Sequence, residues 1–180
     1  NYHTVAETVF TNDLRVLSCN YLEENDGVIY DASYELDYET KTAIITRTDT
    51  SDRSHTRTQK IPFFGNVQDG TSLIYYARGF CHTEMSEDVP YLADDTVDVV
   101  TIHFQGKDKK IGVKPFPHKL SSYYLEGEVH NKGMAGLSGD FRGWFSADSR
   151  RLPLKAGVKV FIGSVSLSLV TYSAVTAIGD

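Results

Sequence analysis

Apolar and polar side chains alternate residue by residue along most of this chain, and that period of two rules out a mainly helical body. Ile29-Tyr30-Asp31-Ala32-Ser33-Tyr34-Glu35-Leu36 shows it well, directly after the turn signal Asn25-Asp26-Gly27. The same reading predicts strands over 5–10, 14–22, 28–36, 41–48, 54–63, 96–104, 109–113, 118–130, 140–146, 152–161 and 164–172. In the last of these, Val165, Leu167 and Leu169 are expected on a dry face and Ser164, Ser166 and Ser168 on a wet one. Gln105-Gly106-Lys107-Asp108 reads as a turn, the acidic stretch 81–95 as a loop, and the glycine-rich, polar stretch 131–139 as another.

One segment breaks the pattern. Leu73, Ile74 and Ala77, with Gly70 a turn earlier, have helical spacing, so one short helix is expected over about 68–78. Asp69 suits its N-cap with Ser72 three residues on, and Gly79 suits the left-handed position that ends it. Sheets of this many strands seldom stay flat. The expected fold is all-β: a strongly curved antiparallel meander forming a barrel or open half-barrel, in a single β domain over 1–180.

Composition narrows the functions. A net charge of −6 argues against a nucleic-acid surface. No run of eighteen apolar residues is present, so no membrane span is expected. The chain starts at Asn1 with no charged n-region or apolar h-region after it, as a processed or trimmed chain would, so an exported home stays open. Cys19 and Cys81 lack metal-ligand spacing; they read either as one disulfide in an oxidising compartment or as two packed free thiols.

Two polar blocks attract attention. On the helix, Tyr75, Tyr76 and Arg78 could grip an anionic ligand, while Asp69 and Ser72 are structural; the plainer reading is a capped, packed helix throughout. The second block is a hairpin with the lone tryptophan. Trp144 and Arg150 are its ligand-binding candidates, whereas Ser146, Asp148, Arg151 and Pro153 suit the turn itself. His3, His55, His82, His103, His118 and His130 show no zinc-type spacing, so no metal is expected. No nucleophile elbow, phosphate loop or dinucleotide fingerprint occurs, so no cofactor and no catalytic residue is assigned.

Both blocks carry a family likeness. Asp69-Gly70-Thr71-Ser72-Leu73-Ile74-Tyr75-Tyr76-Ala77-Arg78 is similar to an Asp-x-x-Ser-x-x-Tyr-Tyr-x-Arg helix. Trp144-Phe145-Ser146-Ala147-Asp148-Ser149-Arg150-Arg151-Leu152-Pro153 is similar to a Trp-x-Ser-x-Asp-x-x-Arg-x-Pro hairpin. Gly163 with the strand over 164–172 completes the pattern. In these features the chain resembles a bacterial envelope family known only as domain of unknown function 3108, over about 61–172. The resemblance implies a curved antiparallel sheet in the periplasm or at the outer membrane, and no reaction. It also implies an initial strand pair that is not expected in this chain, so an unpaired edge is expected.

The function expected from all this is a non-catalytic envelope protein that holds a hydrophobic or envelope ligand, whether lipid or glycan, or docks an envelope protein. Two alternatives differ in class. One is an enzyme on envelope polysaccharide with Tyr75, Tyr76, His118 or His130 as acid or base. The other is a structural subunit joined through an open sheet edge.

Overall fold

In a computed structural model of the protein, residues 2–25, 28–49, 56–93, 95–129, 139–159 and 164–173 are described. They form eleven strands and one helix. The strands are β1 (Tyr2–Phe10), β2 (Val16–Asn25), β3 (Val28–Asp37), β4 (Thr42–Asp49), β5 (Thr56–Pro62), β6 (Glu84–Ala93), β7 (Thr96–Ile111), β8 (Leu120–Val129), β9 (Gly139–Ser146), β10 (Pro153–Lys159) and β11 (Ser164–Ser168), with α1 (Gly70–Phe80) between β5 and β6. Every neighbouring pair is antiparallel.

The all-β antiparallel expectation holds, but the single curled meander does not. The strands divide into a five-stranded sheet, β1 to β5 in order, and a six-stranded sheet, β6 to β11 in order. Neither sheet closes on itself. The break falls where α1 interrupts the hairpin chain, because a helix of eleven residues cannot continue a ladder.

Period two explains which faces are dry. In the first sheet Tyr21, Tyr34 and Ile45 are buried with Val16, Cys19, Leu36 and Ala43, and Phe63, Val67 and Leu92 close that core from the connecting segment and from β6. In the second sheet Val100, Ile102, Phe104, Leu125 and Phe145 form one face, and α1 lies on it through Leu73, Tyr76, Ala77 and Phe80. The opposite face carries the alternate residues. His103, Glu126, Arg142 and Gly157 lie side by side across β7 to β10, and Tyr124, Trp144 and Lys155 form the next row. A third cluster covers the far end of that face, with Trp144, Leu152 and Leu154 packed under Ile111, Val113 and Phe116.

Several boundaries differ from the sequence expectation for clear physical reasons. The acidic segment read as a loop is β6, whose second half buries Val89, Tyr91, Leu92 and Ala93. Its Pro90 is tolerated because β6 is an edge strand. There the backbone N–H of Gln68 donates to the Pro90 carbonyl at 2.8 Å, and Leu92 N–H donates to the Gln68 carbonyl at 2.9 Å. The expected turn at 105–108 is instead a pair of register shifts inside one long β7, with Gly106 at φ +69°. A positive-φ glycine makes a bulge as readily as a turn. Gly79 does not end α1. The helix runs one residue past it to Phe80, and the C-cap is Cys81 in right-handed conformation. The last strand is short, and its expected dry face is wet: Val165 is 43% and Leu167 61% exposed. Only Leu169 of that row packs, against the third cluster.

Two glycines should respond oppositely to alanine. At Gly127 a Cβ would lie 2.3 Å from the Thr101 carbonyl oxygen and 2.6 Å from Cζ of Phe141, so Gly127→Ala forces backbone movement. We expect a loss of roughly 1–3 kcal/mol in urea unfolding. Gly79 sits within the last turn with open space around it, so Gly79→Ala should gain about 0.5–1 kcal/mol. A loss at Gly79 would mean that it is a left-handed cap after all.

Candidate functional site

The helix start is built on one buried side chain. Asp69 caps α1: one carboxylate oxygen accepts the Ser72 N–H at 2.8 Å, and the Ser72 hydroxyl accepts the Asp69 N–H at 2.8 Å. This is a reciprocal capping box. The other oxygen accepts the Thr8 hydroxyl at 2.7 Å and the Tyr21 hydroxyl at short range. Asp69 is thus a helix cap and also a tie to β1 and β2. Burial pushes the Tyr21 hydroxyl far above the ordinary tyrosine range, with the neighbouring Cys19 and Asp69 adding to it, so it stays a donor. The adjacent Gln68 is equally buried, and its amide N–H donates to the Leu14 carbonyl at 2.8 Å.

The two blocks that are 72 residues apart in sequence meet in space. Arg78 donates through Nε and Nη2 to the Arg150 carbonyl at 3.1 and 2.9 Å. In return, Arg151 Nη1 donates to the Gly79 carbonyl at 3.1 Å, near the end of α1. Inside the hairpin, the Ser146 hydroxyl donates to Asp148 and accepts the Leu152 N–H, each at 2.8 Å. Asp148 also takes Nε and Nη2 of Arg150 at 3.0 and 2.5 Å. That guanidinium, with the Ser146 hydroxyl, holds the Asp148 carboxyl below its ordinary range. Arg151 takes φ +46°, the residue of the turn that bears left-handed strain. Pro153 opens β10 opposite Phe145, at a register shift that its missing N–H suits.

The five candidate ligand-binding residues do not gather into one site. Tyr75 is half-exposed on α1 and meets the Phe10 ring at 5.2 Å. Tyr76 packs on Phe80 with ring centroids 4.7 Å apart, and burial, with its bond to Glu87, raises its hydroxyl. Arg78 is spent on the hairpin carbonyl. Arg150 is held by Asp148 and lies 5.6 Å from both the Phe116 and Tyr172 ring centroids. Trp144 is on the other face of the second sheet from α1, and its indole N–H donates to Asp108 at 2.9 Å.

Cys19 and Cys81 are free thiols buried in different clusters, Cys19 beneath the first sheet and Cys81 behind α1. Burial pushes Cys19 up to about 12 and Cys81 up to about 11. His3, His82, His103 and His118 are exposed, while His55 and His130 lie outside the described residues. Among the described residues no three His, Cys, Asp or Glu side chains are grouped to hold a metal ion. No described helix is long and apolar enough to cross a membrane.

An open groove of about 680 Å³ runs across the face of the second sheet away from α1. Tyr124 and Trp144 lie along it with ring centroids 5.1 Å apart. Lys109, Arg142 and Lys155 flank the pair. The Tyr124 hydroxyl donates to Glu126 at 2.7 Å; burial, then that bond, push it up to about 12. Of these residues sequence reasoning singled out only Trp144. The others come together through strand register or, for Lys109, at the register shift between Asp108 and Lys110, and nothing in the linear order joins Lys109 to Arg142 or Lys155.

These features define a mostly-β protein of two open antiparallel sheets, joined by a capped helix and carrying a charged, aromatic-floored groove. The model of a family described as a protein of unknown function, DUF3108, matches residues 7–170, and the chain belongs to that family. No curated protein and no solved structure matches it.

Asp69→Ala would strand the Tyr21 and Thr8 hydroxyls and the Ser72 N–H in the interior. The expected loss is about 3 kcal/mol or more by chemical denaturation, with Asp69→Asn in between. Both thiols should resist a disulfide-exchange reagent at pH 8 in the native protein, because thiolate is scarce and access is closed. Both should react on unfolding without added reductant; a silent unfolded chain would mean that they are joined.

Proposed function

We propose that the chain is a non-catalytic binding protein of the bacterial cell envelope, and that a polar, glycan-type ligand occupies the groove beside Trp144. The groove carries the reading: about 680 Å³ of open concavity whose walls alternate rings, cations and carboxylates. Such a lining matches a ligand dense in hydroxyl and charged groups better than an acyl chain, which would leave Lys109, Arg142 and Lys155 desolvated without partners. The resemblance of the helix and hairpin blocks to an envelope family is what favours the envelope location.

The polysaccharide-cleaving alternative has less support. Tyr75 and Tyr76 are on α1, over one face of the second sheet, while His118 is an exposed residue of the segment that also holds Phe116, which packs over the other. His82 meets Tyr123 only at 6.5 Å between ring centroids, and His103 is held by Ser86 at 2.7 Å. A structural-subunit role has one observation in its favour: β11 is an edge strand with all five residues exposed, Val165 and Leu167 among them.

Native mass spectrometry of the full chain isolated gently from its source tests the reading. A co-purifying polar adduct, displaced together with a change in Trp144 fluorescence, is the expected result. Bare monomer throughout would remove both the ligand-binding and the subunit readings.

A further inference from the structure

Resting on the proposed groove, we infer that its ligand carries an acidic group, carboxylate or phosphate on a sugar, held by Arg142, Lys109 and Lys155 over the Trp144 ring. The cations and the acids of this face are used differently. Lys109 Nζ lies 5.2 Å and the Arg142 guanidinium carbon 5.7 Å from the Trp144 ring centroid, and Lys155 is paired directly across from Trp144 in the β9–β10 ladder. Among the described residues none of the three makes an ion pair.

The two carboxylates nearest Trp144, Glu126 and Asp108, are occupied by neutral donors. Glu126 takes Gln105 Nε2 at 2.6 Å on one oxygen and the Tyr124 hydroxyl on the other. Asp108 takes the Trp144 indole N–H, which holds its carboxyl below the ordinary range. Asp140 faces Lys159 at 3.5 Å, farther along the groove. Glu128, on the same row as Asp140, is engaged as well. Three cations therefore keep donors unspent in a chain whose net charge is −6.

The backbone makes room for this. Gly157 is the register partner of Arg142, and a Cβ there would sit 3.3 Å from Arg142 Nε and 3.6 Å from its Cγ. With glycine at 157 the arginine lies flat across β10, its guanidinium toward the groove. A planar guanidinium backed by an aromatic ring presents a fork suited to a carboxylate or phosphate, and its weak hydration lowers the cost of closing on one.

The test is calorimetric and fluorescence titration of the full chain with three probes: a hexuronic-acid oligosaccharide, the neutral oligosaccharide of the same ring size and a sugar phosphate. At least one acidic probe should bind roughly tenfold or more tighter than the neutral one, with Trp144 emission changing. Which acidic probe binds distinguishes carboxylate from phosphate. Arg142→Gln and Lys155→Gln, both exposed positions, should abolish the preference with unchanged unfolding midpoints, while Lys60→Gln on the first sheet should leave it intact. Equal binding of neutral and acidic probes would overturn the acidic group and keep the groove. An equal loss in Lys60→Gln would reduce the effect to general charge and overturn it too. No binding of any probe would bring down the glycan reading itself.

Discussion

The Asp69 carboxylate is the joint on which the architecture turns. It starts the helix through Ser72 and ties that start to β1 and β2 through Thr8 and Tyr21. One residue earlier, the Gln68 backbone stitches the same segment onto the edge of β6. Two consecutive buried residues thus connect the first sheet, the helix and the second sheet. Burial makes these bonds more consequential than surface ones, since a donor left unpaired there has no water to fall back on.

At its other end the helix is fixed by backbone carbonyls rather than by opposite charges. Arg78 reaches the Arg150 carbonyl, and Arg151 reaches the Gly79 carbonyl. The exchange explains why the two sequence blocks belong together although the groove uses only Trp144 from them. Their polar residues shape and join a helix and a hairpin. Several of these tyrosines and arginines have partners within the fold: Tyr75 meets Phe10, Tyr76 packs on Phe80 and Arg150 pairs with Asp148.

Much of the local structure was legible in the residues. The strands from β2 to β5 and the capping box at Asp69 and Ser72 follow from alternation and from side-chain chemistry at a helix start. β6 was hidden because Glu84, Glu87 and Asp88 mark a wet stretch before Val89 begins the buried half. The division into two sheets was hidden because period two fixes which way a side chain points and not which strand lies beside it. The same limit concealed the groove. Arg142, Glu126 and Gly157 are neighbours only by register, and a glycine that admits a crossing arginine looks in sequence like any other.

The two register shifts in β7 have a further consequence. Residues before Gly106 alternate in step with the buried face, through Val100, Ile102 and Phe104, whereas the ladder beyond is offset, and Ile111 packs in the third cluster instead. The strand is therefore two modules in series with an uncoupled phase. Exchanges of the exposed residues in the outer module change the surroundings of Trp144 and leave Val100, Ile102 and Phe104 in place.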